Sequence, residues 1–254
     1  MNKTNLRRVA PWIAIGWVGL AWLSQGLPLK AAVEMPAADY TKGLSWLGHA
    51  SFRLVRGGVT IYFDPWQLAG APGDADLVLI THPHFDHLSP EDVAKVAKAD
   101  TEIVTVAGCQ LKLEQAGVPG KIHLVEPGDS LTLKGVKVEA VSAYNTNKVF
   151  HLKDNGWVGF IVEVDGTRIY HAGDTDFIPE MKMLQVDVAL LPVSGTYVMT
   201  AEEAAQAAKA MTAKVVIPMH YGSIVGTAAD AKRFEKLCGV KVVEILPKEG
   251  GGKR

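Results

Sequence analysis

The stretch "DLVLITHPHFDHLSPED", residues 76 to 92, constrains this chain more than any other. An uninterrupted apolar run, of the kind that forms a strand buried on both faces, stops at Thr81. Three histidines and an aspartate then fall within positions 82 to 87. Ser89 as a cap, Pro90 at the first helical position and Glu91-Asp92 in the first turn predict a helix through about Ala99. A buried strand that ends in titratable side chains and turns at once into a helix belongs in a layered α/β protein with its chemistry at the strand end. His82 and His84 share a face of an extended segment, so their imidazoles can hold one ion together. Asp86 and His87 lie where the chain must turn and can face a second ion. Nitrogen ligands with a carboxylate suit zinc or another divalent transition metal, manganese included. Surface histidines in a polar loop do not account for so tight a spacing.

Short strands and turns follow one another along the rest of the chain. "LSWLGHASFRLVRGGVTIYFDP" predicts two or three strands around a Gly57-Gly58 turn, and "TEIVTVAG" predicts another. A helix is expected from Gln110 to Gln115, then strands broken at Pro127-Gly128-Asp129 and at Gly135. "GWVGFIVEVDGTRIYHAGDT" is a hairpin turning at Asp165-Gly166, and "VDVALLPVSG" a buried strand. Thr200 and Glu203 form a capping box that opens an alanine-rich helix to about Met211. "AKVVIPMHYG" is a strand ending on His220, with a short helix and strand after it. Strand-rich halves with interposed helices predict an α/β fold, an αββα sandwich of two sheets covered outside by helices. Residues 33–254 form one domain, and Gly250 to Arg254 a frayed tail.

A metal site needs ligands from neighbouring strand ends. Asp174, in "YHAGDTD", and His220, in "VVIPMHYG", each follow an apolar strand. Together with residues 82 to 87 they resemble the metallo-β-lactamase superfamily over roughly Leu44 to Pro247. "WLGHASF", "THPHFDHL", "YHAGDT" and "PMHYG" are most similar to the metal-dependent hydrolase branch of ascorbate-6-phosphate lactonase, and more distantly to N-acyl-phosphatidylethanolamine phospholipase D. The resemblance implies a further histidine near "AVSAYNTN", where none stands. His151, in the polar loop "NKVFHLKDNGW", is the expected substitute. His123 is expected to be a structural strand residue. His49 is either a support or substrate contact or a hydrogen-bonded turn residue, and His171 is expected to orient its neighbours. The resemblance places Asp64 beneath the site as a structural acid.

The implied arrangement puts His82, His84 and His151 on one metal, Asp86, His87 and His220 on the other, and Asp174 between them. Two ions about 3.5–4 Å apart share a water and lower its pKa toward about 7. The expected activity is therefore hydrolysis of an ester, lactone or phosphoester-type bond by metal-bound hydroxide, with Asp86 steering the water or its proton. Alternatives are a membrane-associated phosphodiesterase or phospholipase and a non-catalytic metal-binding module. No Gly-x-Ser-x-Gly elbow offers a side-chain nucleophile. Tyr144, Asn145, Asn147, Lys148 and Lys153, with Tyr197 and Tyr221, are either contacts for an anionic substrate group or ordinary loop residues.

Residues 1–32 differ from the remainder. After Lys3, Arg7 and Arg8, the 21 residues Val9 to Leu29 carry no charge, enough helix to cross a bilayer. Anchor and cleaved signal peptide are both compatible with this pattern, and either exports the domain to the periplasm or another extracytoplasmic face. Net charge is −1. No global field therefore draws nucleic acid, and a small-molecule substrate is expected. Cys109 and Cys238 alone make no thiolate cluster, and either pair or remain buried thiols. The oligomeric state leaves no mark on the sequence.

Overall fold

The computed structural model describes residues 36–239 and 242–249. The expected anchor or signal over 1–32 and the tail from Gly250 lie outside these. Among the described residues, no helix is long and apolar enough to cross a membrane.

The first sheet has six strands in chain order: β1 (Leu44–Gly48), β2 (Ser51–Arg56), β3 (Val59–Phe63), β4 (Ala75–Ile80), β5 (Ala97–Thr105) and β6 (Lys121–Leu124). It begins as an antiparallel meander and is parallel from β3 onward. The second sheet has seven: β7 (Ser130–Leu133), β8 (Val136–Ser142), β9 (Val158–Val164), β10 (Thr167–His171), β11 (Val188–Pro192), β12 (Val215–Met219) and β13 (Val242–Val243). It repeats the plan, antiparallel through β10 and parallel from there to β13. The hairpin turns Gly57-Gly58 and Asp165-Gly166 have positive φ at both residues, the left-handed geometry that matches strand twist in two-residue loops.

Helices α2 (Pro90–Val96) and α3 (Ala107–Gln115) pack along the first sheet, α4 (Ala201–Ala210) and α5 (Ala228–Cys238) along the second; α1 (Ala37–Tyr40) is one turn. One hydrophobic cluster joins Phe52, Ile61 and Leu79 of the first sheet to Phe160, Ile169 and Leu190 of the second. This is the expected αββα sandwich. Strands β11 and β12 are buried at every position, as strands covered on both faces must be. Cys109 and Cys238 are buried and are not bonded to each other.

Local boundaries differ from expectation in two places. Helix α2 stops at Val96 rather than Ala99 because Ala97 turns extended and pairs with Ala75. Thr101 holds that change, accepting from the Lys98 amide at 2.9 Å and donating to the Ala75 carbonyl at 2.6 Å. Helix α3 begins at Ala107, three residues before Gln110, with the poor helix former Gly108 inside its first turn.

Candidate metal centre

Loops from both sheets meet in one place. Residues 82–87 follow β4, Asp174 follows β10 and His220 follows β12; His49 lies in the β1–β2 turn and His151 in the β8–β9 connection. Four non-glycine residues here have left-handed backbones: His49 (φ 53°), Asp64 (φ 42°), His151 (φ 57°) and His220 (φ 59°). Such conformations cost on the order of 1–2 kcal/mol each outside glycine, and their concentration at one spot marks a functional constraint.

Two groups of donors face each other. His82 Nε2 and His151 Nε2 each lie 3.1 Å from His84 Nδ1. Ligands about 2.0–2.1 Å from one tetrahedral ion stand roughly 3.3 Å apart, so this spacing fits three nitrogens around one metal. Asp86, His87 and His220 form the second group together with His49. Asp174 stands between the groups. Its Oδ1 is 3.2 Å from His87 Nε2, and its Oδ2 is 3.2 Å from His151 Nε2 and 3.1 Å from His220 Nε2. Although they are close, His87 Nε2, His220 Nε2 and Asp174 Oδ1 are buried without a hydrogen bond. Orphaned polar atoms are costly, and a cation shared among them removes the cost. The residues present therefore fit a metal centre.

Supporting hydrogen bonds aim these atoms. Asp64, fully buried, accepts from the Thr81 amide (2.8 Å), the Thr81 hydroxyl (2.7 Å) and His87 Nδ1 (2.7 Å). A carboxylate only accepts, so the His87 proton is on Nδ1 and the Nε2 lone pair faces the centre. Thr81 Oγ1, having donated to Asp64, accepts from His82 Nδ1 at 2.9 Å and sets that ring in the same way. Ser194 Oγ is 3.1 Å from His220 Nδ1 and can do likewise. His49 donates from Nε2 to Asp86 Oδ2 at 3.0 Å, so that nitrogen is committed to orienting Asp86. His171 touches none of the clustered side chains. It donates to the Ala50 carbonyl at 2.7 Å and accepts from the Gly173 amide at 3.2 Å, which steadies the turn carrying Asp174. His123 lies in β6 and pairs with Glu102 at 2.5 Å, the structural role expected of it.

The charge states suit ligation. Burial, and then the neighbouring histidines His87 for His82 and His151 for His84, push both imidazoles below their ordinary range, so both are neutral donors at pH 7. Burial alone would raise Asp174, yet His220 and His87 hold it well below the usual carboxylate range. His87 shows the converse: burial opposes its charge, but Asp174 and Asp64 raise it well above an ordinary histidine. A cation bound at Nε2 would answer that demand for positive charge in place of a second proton, with the first proton still on Nδ1 facing Asp64.

The structure brings together every residue expected as a ligand. Of the residues read as either substrate contacts or ordinary loop residues, Tyr197 lines the cavity over the cluster and most of the others are engaged within the fold. Lys148 pairs with Asp176, and Lys153 bonds Glu180 at 3.1 Å, as does the Tyr144 hydroxyl at 3.0 Å. Tyr221 stacks on Trp46 at 4.9 Å. Asn145 is structural: its amide donates to the Phe150 carbonyl (3.0 Å) and the Tyr197 carbonyl (2.7 Å), bracing the loop that presents His151. Thr81 and Ser194 were not foreseen; only Thr81, next to His82, left a sequence signal in its place before the motif.

Two mixed sheets with outer helices and a histidine/aspartate cluster at their strand ends define a metallo-hydrolase. The beta-lactamase superfamily domain matches residues 43–220, and the chain belongs to that superfamily as a metal-dependent hydrolase. It is 35% identical over 219 residues to a UPF0173 metal-dependent hydrolase of Thermococcus onnurineus, covering 81% of this chain and 96% of that one. A second such relative, from Methanoregula boonei, is 37% identical over 202 residues, covering 76% and 87%. Among solved structures, a metal-dependent hydrolase assigned in Parabacteroides distasonis matches with TM-score 0.69 and 34% identity, covering 80% of this chain and 91% of that one. Igni18, a metallo hydrolase of Ignicoccus hospitalis, matches with TM-score 0.65 and 26% identity, covering 81% and 94%. None of these four names a substrate, and the finer likeness to ascorbate-6-phosphate lactonase is not among them.

Proposed function

We propose that this hydrolase works with two divalent ions, zinc or manganese, and cleaves an ester, lactone or phosphoester-type bond. His82, His84 and His151 hold one ion, Asp86, His87 and His220 the other, and Asp174 reaches both. The observation that carries this reading is Asp174, whose Oδ2 lies between His151 of one group and His220 of the other while its Oδ1 faces His87 without a hydrogen bond. Ions bound there supply Lewis acidity and a water acidic enough to ionise near neutral pH.

The chain's own residues do the rest. Asp86 lines the cavity above the cluster and keeps its charge: burial opposes ionisation, but the His49 hydrogen bond and His87 outweigh it. It can take the proton of the attacking water, while His49 holds the carboxylate in position at Oδ2. We extend the proposal to location: residues 1–32 export the domain or hold it at a membrane, and fractionation of cells expressing the full chain with and without this segment tests that.

The test of the site is metal content of the full-length protein purified without chelator. About two ions per chain are expected, falling toward one in His151→Ala. A single ion in the wild type, or no loss in His151→Ala, refutes the assignment.

A further inference from the structure

We propose that the substrate is a carboxylic ester or lactone carrying an uncharged apolar group, and that phosphoesters are disfavoured. The inference rests on the hydrolytic reading above and names the class of molecule the same site takes.

A cavity of about 210 Å³ opens over the cluster. Its walls are Phe85, Phe150, Tyr197, Ile224 and Val225, and among the described residues lining it none is lysine or arginine. Phosphate recognition ordinarily recruits a guanidinium or ammonium beyond the metals themselves. The two nearby cations of the His151 loop are already engaged, Lys148 by Asp176 and Lys153 by Glu180. What the rim offers instead is apolar surface that none of the described residues covers: Phe85 is 66% exposed, Phe150 47% and Ile224 44%. These side chains are held in place. Phe150 packs edge-on against Tyr197 with centroids 4.9 Å apart, and Phe85 against Trp66 at 6.2 Å. Ligand pockets combine apolar walls with a few polar groups at the reacting end, the division seen here. Phe85 and Phe150 are also chain neighbours of proposed ligands. The loops that fix the metals thus fix the apolar walls.

The chemistry balances without a further reactant. The oxygen of water bonds to the acyl carbon, the acyl C–O bond breaks, and the leaving alkoxide takes one proton of that water. The second, first held by Asp86, goes to solvent as the carboxylate product departs.

The test uses the full-length, metal-loaded protein and a series of metal-chelating hydroxamates, with affinity measured by calorimetry. Hexanohydroxamate is expected to bind at least about tenfold more tightly than acetohydroxamate; a fully buried methylene is worth roughly fourfold, and this cavity is partly open. Ile224→Ala, four residues from the nearest proposed ligand, is expected to reduce that ratio to about threefold or less and leave acetohydroxamate unchanged. Phe150→Ala should also reduce the ratio. In turnover, p-nitrophenyl hexanoate should exceed both the acetate and bis(p-nitrophenyl) phosphate in kcat/KM. Affinity independent of chain length, or methylphosphonate binding more tightly than acetohydroxamate, overturns the inference and leaves the metal centre standing. Binding to phosphatidylcholine vesicles that is lost in Phe150→Ala, with flat hydroxamate affinities, overturns it by giving the rim to a bilayer. Absence of both metal and hydroxamate binding overturns the hydrolytic reading itself.

Discussion

Asp64 receives three donors on one buried carboxylate, two from Thr81 and one from His87. An amide keeps the shape but has a single acceptor oxygen, so Asp64→Asn leaves at least one donor poorly matched and frees the His87 ring. Loss of such an orienting partner weakens metal binding by roughly 10–100-fold. Competition with a fluorescent zinc chelator should show that fall for Asp64→Asn and a smaller one for Ser194→Ala, which releases His220 Nδ1; wild-type affinity in both would mean that the rings are held by packing alone. Asp92 presents a different case, outside the metal centre. Its carboxylate accepts from the Gln67 amide (2.8 Å), the Leu68 amide (3.1 Å), Ser89 Oγ (2.8 Å) and Lys95 Nζ (2.9 Å), tying the segment after Asp64 to α2. Burial would raise its pKa, but Lys95 and the other donors carry it below the ordinary value. A lowered folded pKa gives stability that is complete above the unfolded pKa of about 3.9 and is lost as pH falls through the folded value. Asp92→Asn should therefore cost about 1–3 kcal/mol near pH 7 and progressively less below about pH 4. Chemical unfolding of both proteins at a series of pH values measures the difference; a cost that stays constant down to pH 2 would contradict the assignment.

Elements deliver the side chains because each relevant strand stops in a controlled way. In β12, Pro218 has no amide to give, yet it is tolerated because among the described residues β13 pairs only with Val215 and Val216, which leaves an edge where the proline stands. One residue beyond Met219, the chain turns left-handed at His220. Gly173 ends β10 in a similar way. Its φ is +63°, and a Cβ there would lie 2.9 Å from the Val158 carbonyl oxygen and 3.2 Å from Thr81 Cβ. Gly173→Ala should lose about 2 kcal/mol or more and also weaken metal binding, since Asp174 must shift with it. Gly166→Ala is the control: φ is again positive, +69°, but the space is open, so about 1 kcal/mol and an unchanged metal affinity are expected. Equal effects of the two on metal would separate Gly173 from the positioning of Asp174. The elements themselves were largely readable. Apolar runs, the Gly57-Gly58 and Asp165-Gly166 turns and the Thr200–Glu203 box announce β4, both hairpins and α4 before any coordinates. The change from α2 to β5 at Ala97 was not readable, because it depends on a hydrogen bond from Thr101 to a strand far earlier in the chain. Propensity carries no record of such a partner.

At the scale of the whole molecule, the proposed ligand set is split across the sandwich. The 82–87 loop belongs to the first sheet, while His151, Asp174 and His220 belong to the second. The dense histidine motif could be read from its spacing, and Asp174 and His220 from their places after apolar strands. His151 could be named only as a histidine in a polar loop. What brings it inward is a left-handed turn and the bracing of Asn145 against the Phe150 and Tyr197 carbonyls, a tertiary arrangement with no local signature. Because the proposed ligands come from both layers, an ion held by them would clamp the sheets together, and its removal should be felt beyond the site. A ligand that binds only the folded state stabilises it by RT ln(1 + [L]/Kd), about 4 kcal/mol at a thousandfold excess over Kd. For a domain of this size roughly 2–4 °C accompany each kcal/mol, so chelation should lower Tm by roughly 8–16 °C, and zinc in excess of chelator should restore it. Calorimetry should show one transition that moves as a whole, because carboxylates and histidines from both sheets lose their common partner together. A separate low-temperature transition for half of the protein, or a Tm indifferent to chelation in a protein shown to contain metal, would mean that the sheets are held by their shared apolar core and that the ions serve chemistry alone.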